Sequence, residues 1–163
     1  MTNMLVDLDE RFDASAGAAA RERIERAGYA LSEGRGAADR TLAWIDDAFG
    51  GAWSSEAKNG RNIVVSNDGA PVAFATFDPA EMRYAWLRGV ATHDDVCVFG
   101  PFGVDPRFRG NGIGASLLIA ALVSMRDRGA RRALIAAAGE DVVPYYERVV
   151  GARVAERFDL GSF

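Results

Sequence analysis

Thiol and metal chemistry have little to work with in this chain of 163 residues, which carries one cysteine, Cys97, and one histidine, His93. No intramolecular disulfide is possible, and the pair offers too few ligands for a zinc site, so no metal is expected. Basic charge is not in excess either: 19 Lys and Arg against 23 Asp and Glu leave a net charge of −4. That argues against nucleic-acid binding, which leans on a basic face. No window approaches the roughly 18 uninterrupted apolar residues of a membrane span. The first 30 residues lack a basic stretch followed by an apolar run, so no secretory signal is expected and cytoplasmic residence follows. Repeats and low-complexity tracts are missing as well.

What is present suits one soluble domain. The hydrophobic fraction is 49% and the charged fraction 26%, near globular averages. The whole chain, 1–163, reads as a single domain on the usual prior of roughly 100–200 residues. Such a chain buries about two thirds of its unfolded surface.

Residues 1–16 mix Met4, Leu5, Val6 and Leu8 with acids, as an edge strand or a loose arm. A helix is expected over 18–27, where Arg21–Glu25 and Glu22–Arg26 lie four residues apart. Tyr29-Ala30-Leu31 begins a strand. Asp39 caps a second helix carrying Leu42, Ile45 and Phe49 on one face, ended by Gly50-Gly51. Trp53 to Lys58 adds a helical turn. The apolar runs 63–65 and 72–77 flank Asn67-Asp68-Gly69, a hairpin signal. The segment 79–92 is less readable. Val96–Val104 reads as a strand bulged at Gly100-Pro101, since proline donates nothing to a ladder. A long apolar-faced helix covers 113–128, a strand 133–138, a short helix 144–150 and a last strand 152–160. The strand–helix–strand crossover from 96 to 138 predicts one parallel pair with a right-handed connection. The hairpin makes the rest antiparallel, so the expected class is a mixed α/β sheet flanked by helices.

The chemistry concentrates where the Val96–Val104 strand gives way to the long helix, in Val104-Asp105-Pro106-Arg107-Phe108-Arg109-Gly110-Asn111-Gly112-Ile113-Gly114-Ala115. Backbone N–H groups at a helix start have no intrahelical partner. Glycines let an oxyanion approach them, and the helix dipole favours negative charge there. Such a turn suits a phosphate or diphosphate. Gly110-x-Gly112-x-x-Ala115 also matches the dinucleotide fingerprint. Against that reading, five residues separate the strand from the first glycine, and the nearest acid past the next strand is Glu140.

Arg109-x-x-Gly112-x-Gly114, preceded by Val104-x-Pro106, resembles the acetyl-CoA motif of the GNAT acyltransferase superfamily. Tyr145-Tyr146-Glu147-Arg148 followed by Gly151 resembles that family's short helix after its fifth strand. The signature spans roughly residues 95–152, the CoA-binding core. The resemblance implies a mainly antiparallel sheet with one splayed parallel pair, the pantetheine of acetyl-CoA lying in the gap. Phe102, Gly103 and Val104 would then offer main-chain groups to pantetheine, and Arg109, Gly110, Asn111, Gly112, Ile113, Gly114 and Ala115 would hold the diphosphate. It implies an amine acceptor attacking the thioester directly, an N–H near Phe102 facing the oxyanion, and Tyr146 (Tyr145 as the fallback) protonating the thiolate. No acid stands within the strand to act as base; His93, Asp94, Asp95, Glu56 and Glu140 are the groups nearby in sequence or in loops. Only twelve residues follow Gly151, too few for two closing strands. Either the sheet stops short, or Met4–Leu8 pairs there, or a partner supplies the strand, and a homodimer is expected from the open edge.

Blander readings stand beside these. Cys97 is a small buried thiol before it is a nucleophile paired with His93. Arg126, Arg128, Arg131 and Arg132 lie about 20 Å or more from the glycine turn, at 1.5 Å per residue, and read as helix-end charge. Trp53 and Trp86 read as core before they read as acceptor wall. The competing functions are a non-catalytic acyl-CoA sensor and a dinucleotide-binding module.

Overall fold

The computed structural model describes residues 1–77, 95–159 and 161. The elements run β1 (Thr2–Asp7), α1 (Ala14–Arg26), β2 (Ala30–Arg35), α2 (Asp39–Phe49), α3 (Gly51–Asn59), β3 (Arg61–Asn67) and β4 (Ala70–Phe77). After the segment 78–94 come β5 (Val96–Val104), α4 (Ile113–Asp127), β6 (Arg132–Ala138), α5 (Val143–Val150) and β7 (Arg153–Arg157). They build one seven-stranded sheet in the order β2-β3-β4-β5-β6-β1-β7. Among the described residues only β5 and β6 pair in parallel; the other neighbours are antiparallel. The mixed sheet with one parallel pair is the expected class.

Alternation along the strands feeds two faces. Ile63, Val65, Ala73, Ala75, Phe99 and Ile135 turn toward α1, α4 and α5, where Ile24, Leu117, Leu118 and Leu122 complete the main core. Val64 and Phe74 turn the other way, onto Ile45 of α2 and Ala57 of α3. Asp68 and Gly69 both hold positive φ, 47° and 79°, as the Asp-Gly turn between β3 and β4 requires. Helix α1 begins at Ala14, capped by the Asp13 carboxylate on the Ala16 amide at 2.8 Å, earlier than its charge pairs indicate. Asp39 is the first helical residue of α2, after Ala38 at the cap, and α3 is a full helix instead of a single turn.

The closing strand is the chain's own first one. Strand β1 lies between β6 and β7, with Thr2 opposite both Ala138 and Arg157. Of the three ways to fill that position, the Met4–Leu8 segment is the one used. The expected homodimer rested on a vacancy there, and β1 removes that ground for it.

A buried polar relay anchors α3. The Thr76 hydroxyl donates to Asn62 Oδ1 at 2.7 Å, and Asn62 Nδ2 donates to the Ala57 carbonyl at 2.7 Å. Both side chains are buried, at 0% and 2% exposure. Thr76→Val would leave Asn62 Oδ1 without its donor, at an expected cost of about 1–3 kcal/mol in urea unfolding. A loss below about 0.5 kcal/mol would show that the relay does not anchor the helix.

Candidate active site

The parallel register of β5 and β6 runs from Val96↔Arg132 to Phe99↔Ile135 and stops. Both strands continue, β5 to Val104 and β6 to Ala138, so they part at the end where the loop to α4 begins. Irregularities on both sides mark the parting. Against β4, Phe99 faces Phe77 and Phe102 faces Ala75, so β5 carries one extra residue at Gly100-Pro101. Against β1, β6 carries one between Ile135 and Ala138, where Ala137 has φ 52° and its amide donates to Asn3 Oδ1 at 3.0 Å. Such bulges bend a strand away from its neighbour.

The gap opens into a cavity of about 990 Å³ that reaches both faces of the sheet. On the α4 face it is lined by Arg109, Gly110, Gly112, Gly114, Tyr145 and Tyr146, and on the α2–α3 face by Phe49, Ala52, Trp53 and Glu56. The Asp105 amide donates to Val72 of β4 at 2.8 Å. Because N–H groups alternate sides along a strand, those of Val104 and Phe102 point away from β4, into the gap. Gly103 is turned back to β4, so of the three residues expected to meet pantetheine by their main chains, Phe102 and Val104 face the gap. Gly103 serves differently: a Cβ there would meet the Phe49 ring at 2.7 Å.

The loop is held from below. The Asp105 carboxylate caps the short 3-10 turn 106–108, accepting from the Arg107 amide at 2.9 Å and from the Arg107 guanidinium at 2.7 Å. Those bonds hold its pKa below the ordinary carboxylate value, the side-chain bond first and the backbone bond second. Arg109 Nε donates to the Val104 carbonyl at 3.0 Å. Gly110 and Gly112 have φ 82° and 86°, and Gly112 is the left-handed residue that starts α4. Among the described residues, the amides of Gly110, Asn111, Gly112, Gly114 and Ala115 find no acceptor. Ile113 is the exception among the expected diphosphate contacts, because its amide donates to Asn111 Oδ1 at 3.2 Å. The cradle therefore fits a diphosphate: exposed amides, no Cβ at the two strained positions, and a guanidinium at its rim.

Both tyrosines of α5 line the cavity. Tyr146 is 7% exposed, its ring 6.4 Å from Phe102 and 5.4 Å from Tyr145. Burial raises its pKa well above an ordinary phenol, and the neighbouring Tyr145 adds to the shift. Tyr145 is raised more modestly by burial, against the charge of Arg148. Its hydroxyl stands 3.3 Å from where a Gly114 Cβ would be, beside the cradle.

Other sequence candidates fall elsewhere. Asp95 sits at the closed end of the parallel pair, its carbonyl accepting from the Arg131 and Arg132 amides. Glu140 bonds the Thr2 hydroxyl and Arg157, which lower its pKa, the Thr2 bond most. Cys97 is half-buried in the closed part of the pair, opposite Ala133. Arg128, at the end of α4, pairs with Glu33 as a helix-end charge does, whereas Arg132 is the first residue of β6 and pairs with Asp95. His93, Asp94 and Trp86 lie outside the described residues. Glu56 is on a helix instead of a loop, and Trp53 packs on the Ile45–Phe74 core, as read, while also lining the cavity. Phe49 was missed; its spacing shows only a buried helix face.

A family model described as "Acetyltransferase (GNAT) family" matches residues 29–152. The chain belongs to the GNAT acetyltransferase family. Among solved structures, the GCN5-related glucosamine N-acetyltransferase region of a fungal multi-domain GH3 β-N-acetylglucosaminidase superposes with a TM-score of 0.66. Identity is 16%, over 94% of this chain and 19% of that one. An acetyltransferase of Trypanosoma brucei gives 0.55 at 21% identity, over 80% of this chain and 97% of that one. A GCN5-related N-acetyltransferase of Kribbella flavida gives 0.53 at 18%, over 94% and 53%. This GNAT chain thus spans less than two thirds of two of these three. Comparison with curated proteins yields no match. Among the described residues, no helix is long and apolar enough to cross a membrane, and no cluster of His, Cys, Asp and Glu could hold a metal ion.

Proposed function

We propose that the protein transfers an acyl group, acetyl in the first instance, from coenzyme A to an amine by direct attack in a ternary complex. The observation that carries the reading is the parting of β5 from β6 above the unbonded amides of Gly110, Asn111, Gly112, Gly114 and Ala115. A thioester arm fits the gap as an added strand, bonding the Phe102 and Val104 main chains, while the cradle and Arg109 take the diphosphate. The Phe102 N–H faces the carbonyl oxygen as it gains charge. As the C–N bond forms and the C–S bond breaks, Tyr146 donates its proton to the departing thiolate. Glu56, on the opposite face, draws in the ammonium and takes one proton before attack, directly or through water. The second proton, shed by nitrogen once the C–N bond has formed, restores Tyr146.

Calorimetry with acetyl-CoA is expected to give micromolar binding, and amines are expected to elicit thiol release. Absence of affinity for any coenzyme A thioester would overturn the proposal. Binding without thiol release across a broad amine panel would make the chain a sensor. Thermal protection by NAD and not by coenzyme A would point to a dinucleotide module.

A further inference from the structure

The α2–α3 side of the cavity has a composition of its own. The Phe49 and Trp53 rings stack at 5.2 Å with 18° between planes, and Trp44 and Phe74 back them edge-on at 5.5 and 6.2 Å. Phe49 is seated on Gly103, where any side chain would displace it, so the aromatic wall is locked onto β5. Beyond the gap, the parted end of β6 contributes Ala136, Ala137, Ala138 and Gly139, a rim of small residues. On this side the described lining offers one ionisable side chain, Glu56; Arg109, Tyr145 and Tyr146 belong to the cradle side and Asp141 to the turn after β6.

We infer that the acceptor is a primary amine carried on a flat apolar body, of the arylalkylamine type, held against the Phe49–Trp53 wall with its ammonium toward Glu56. The inference rests on the acyl-transfer reading above and names its substrate class. A stacked aromatic pair gives a ring both apolar area and face-to-edge geometry, and its π faces favour a nearby cation. An aminosugar could also stack there, but its hydroxyls would leave water for a wall whose described side chains are, Glu56 apart, apolar. The same reasoning disfavours a peptide amine, whose main chain needs donors and acceptors that the described side chains of this wall, Glu56 apart, do not offer.

The test compares ethylamine, phenethylamine and glucosamine at saturating acetyl-CoA, following thiol release, with calorimetry of acetyl-CoA alongside. Phenethylamine is expected to exceed ethylamine in kcat/KM by about thirtyfold or more, the worth of burying one phenyl ring. Trp53→Ala should reduce that ratio to about threefold or less, with acetyl-CoA affinity within about twofold, and Trp53→Phe should keep most of it. Ala52→Trp, which narrows the same wall from an exposed position, should lower the ratio if Trp53→Ala does not fold. Equal rates for the amines, glucosamine at or above phenethylamine, a ratio untouched by these variants, or no turnover of any amine despite acetyl-CoA binding would each overturn the inference. Loss of acetyl-CoA binding in the wild type would instead overturn the acyl-transfer reading beneath it.

Discussion

Gly112→Asp is expected to weaken acetyl-CoA binding by at least about a hundredfold, measured by calorimetry. Two effects combine. Gly112 holds φ 86° at the start of α4, a left-handed conformation that costs other residues about 1–2 kcal/mol. A Cβ there would meet nothing within 4 Å, so the strain is in the backbone and not in a clash. The larger effect is charge: a carboxylate would stand among the amides of 110–115 and repel the diphosphate proposed to bind there. Gly112→Ala separates the two, since it carries the strain without the charge, and should cost roughly tenfold or less. Gly112→Asp binding as tightly as Gly112→Ala would mean that the diphosphate does not lie in this cradle.

Tyr146→Phe should lower kcat by about a hundredfold or more while leaving acetyl-CoA affinity within about twofold, the mark of a proton donor used in the transition state. The pH profile carries the second half of this prediction. Burial raises the Tyr146 pKa, and the direction matters: the phenol stays protonated above the pH at which an exposed tyrosine ionises. Wild-type kcat should therefore show no falling limb up to about pH 10, where an unperturbed phenol would already be half ionised. A fall in kcat centred near pH 8 to 9, absent from Tyr146→Phe, would contradict the assignment. By linkage, the Tyr146 phenol's contribution to stability is full below its unfolded-state pKa of about 10 and is lost as pH rises from there through the raised value. Tyr145, half-buried beside Gly114, should act mainly on binding when changed to Phe. A larger loss of kcat from Tyr145→Phe than from Tyr146→Phe would exchange the two roles.

How much of the site was readable in advance differs by region. The glycine turn between Val104 and Ala115 was legible because its backbone acts locally: glycines supply positive φ and the helix start exposes its own amides. The bulge at Gly100-Pro101 was legible for the same reason. The details that escaped depend on neighbours. Gly103 faces β4 because of how β5 is paired, and Ile113 is engaged because the Asn111 side chain folds back upon it. Trp53 read as core because aromatic residues usually are, and it does pack on the core; that it also lines the cavity depends on where α3 sits against β5.

Taken alone, the order of residues determined the glycine turn before α4, the helices and hairpin around it, and the family, since all of these follow from short-range backbone geometry, local motifs and side-chain periodicity. The tertiary structure decided the rest. It set β1 between β6 and β7, joining Thr2 to Ala138 and Arg157 across almost the whole chain. It also ended the β5–β6 ladder at Phe99 and Ile135 and turned Phe49, Trp53 and Glu56 into the opposite wall. These features come from contacts between segments far apart along the chain, and a contact of that kind leaves no mark on the residues beside it in sequence.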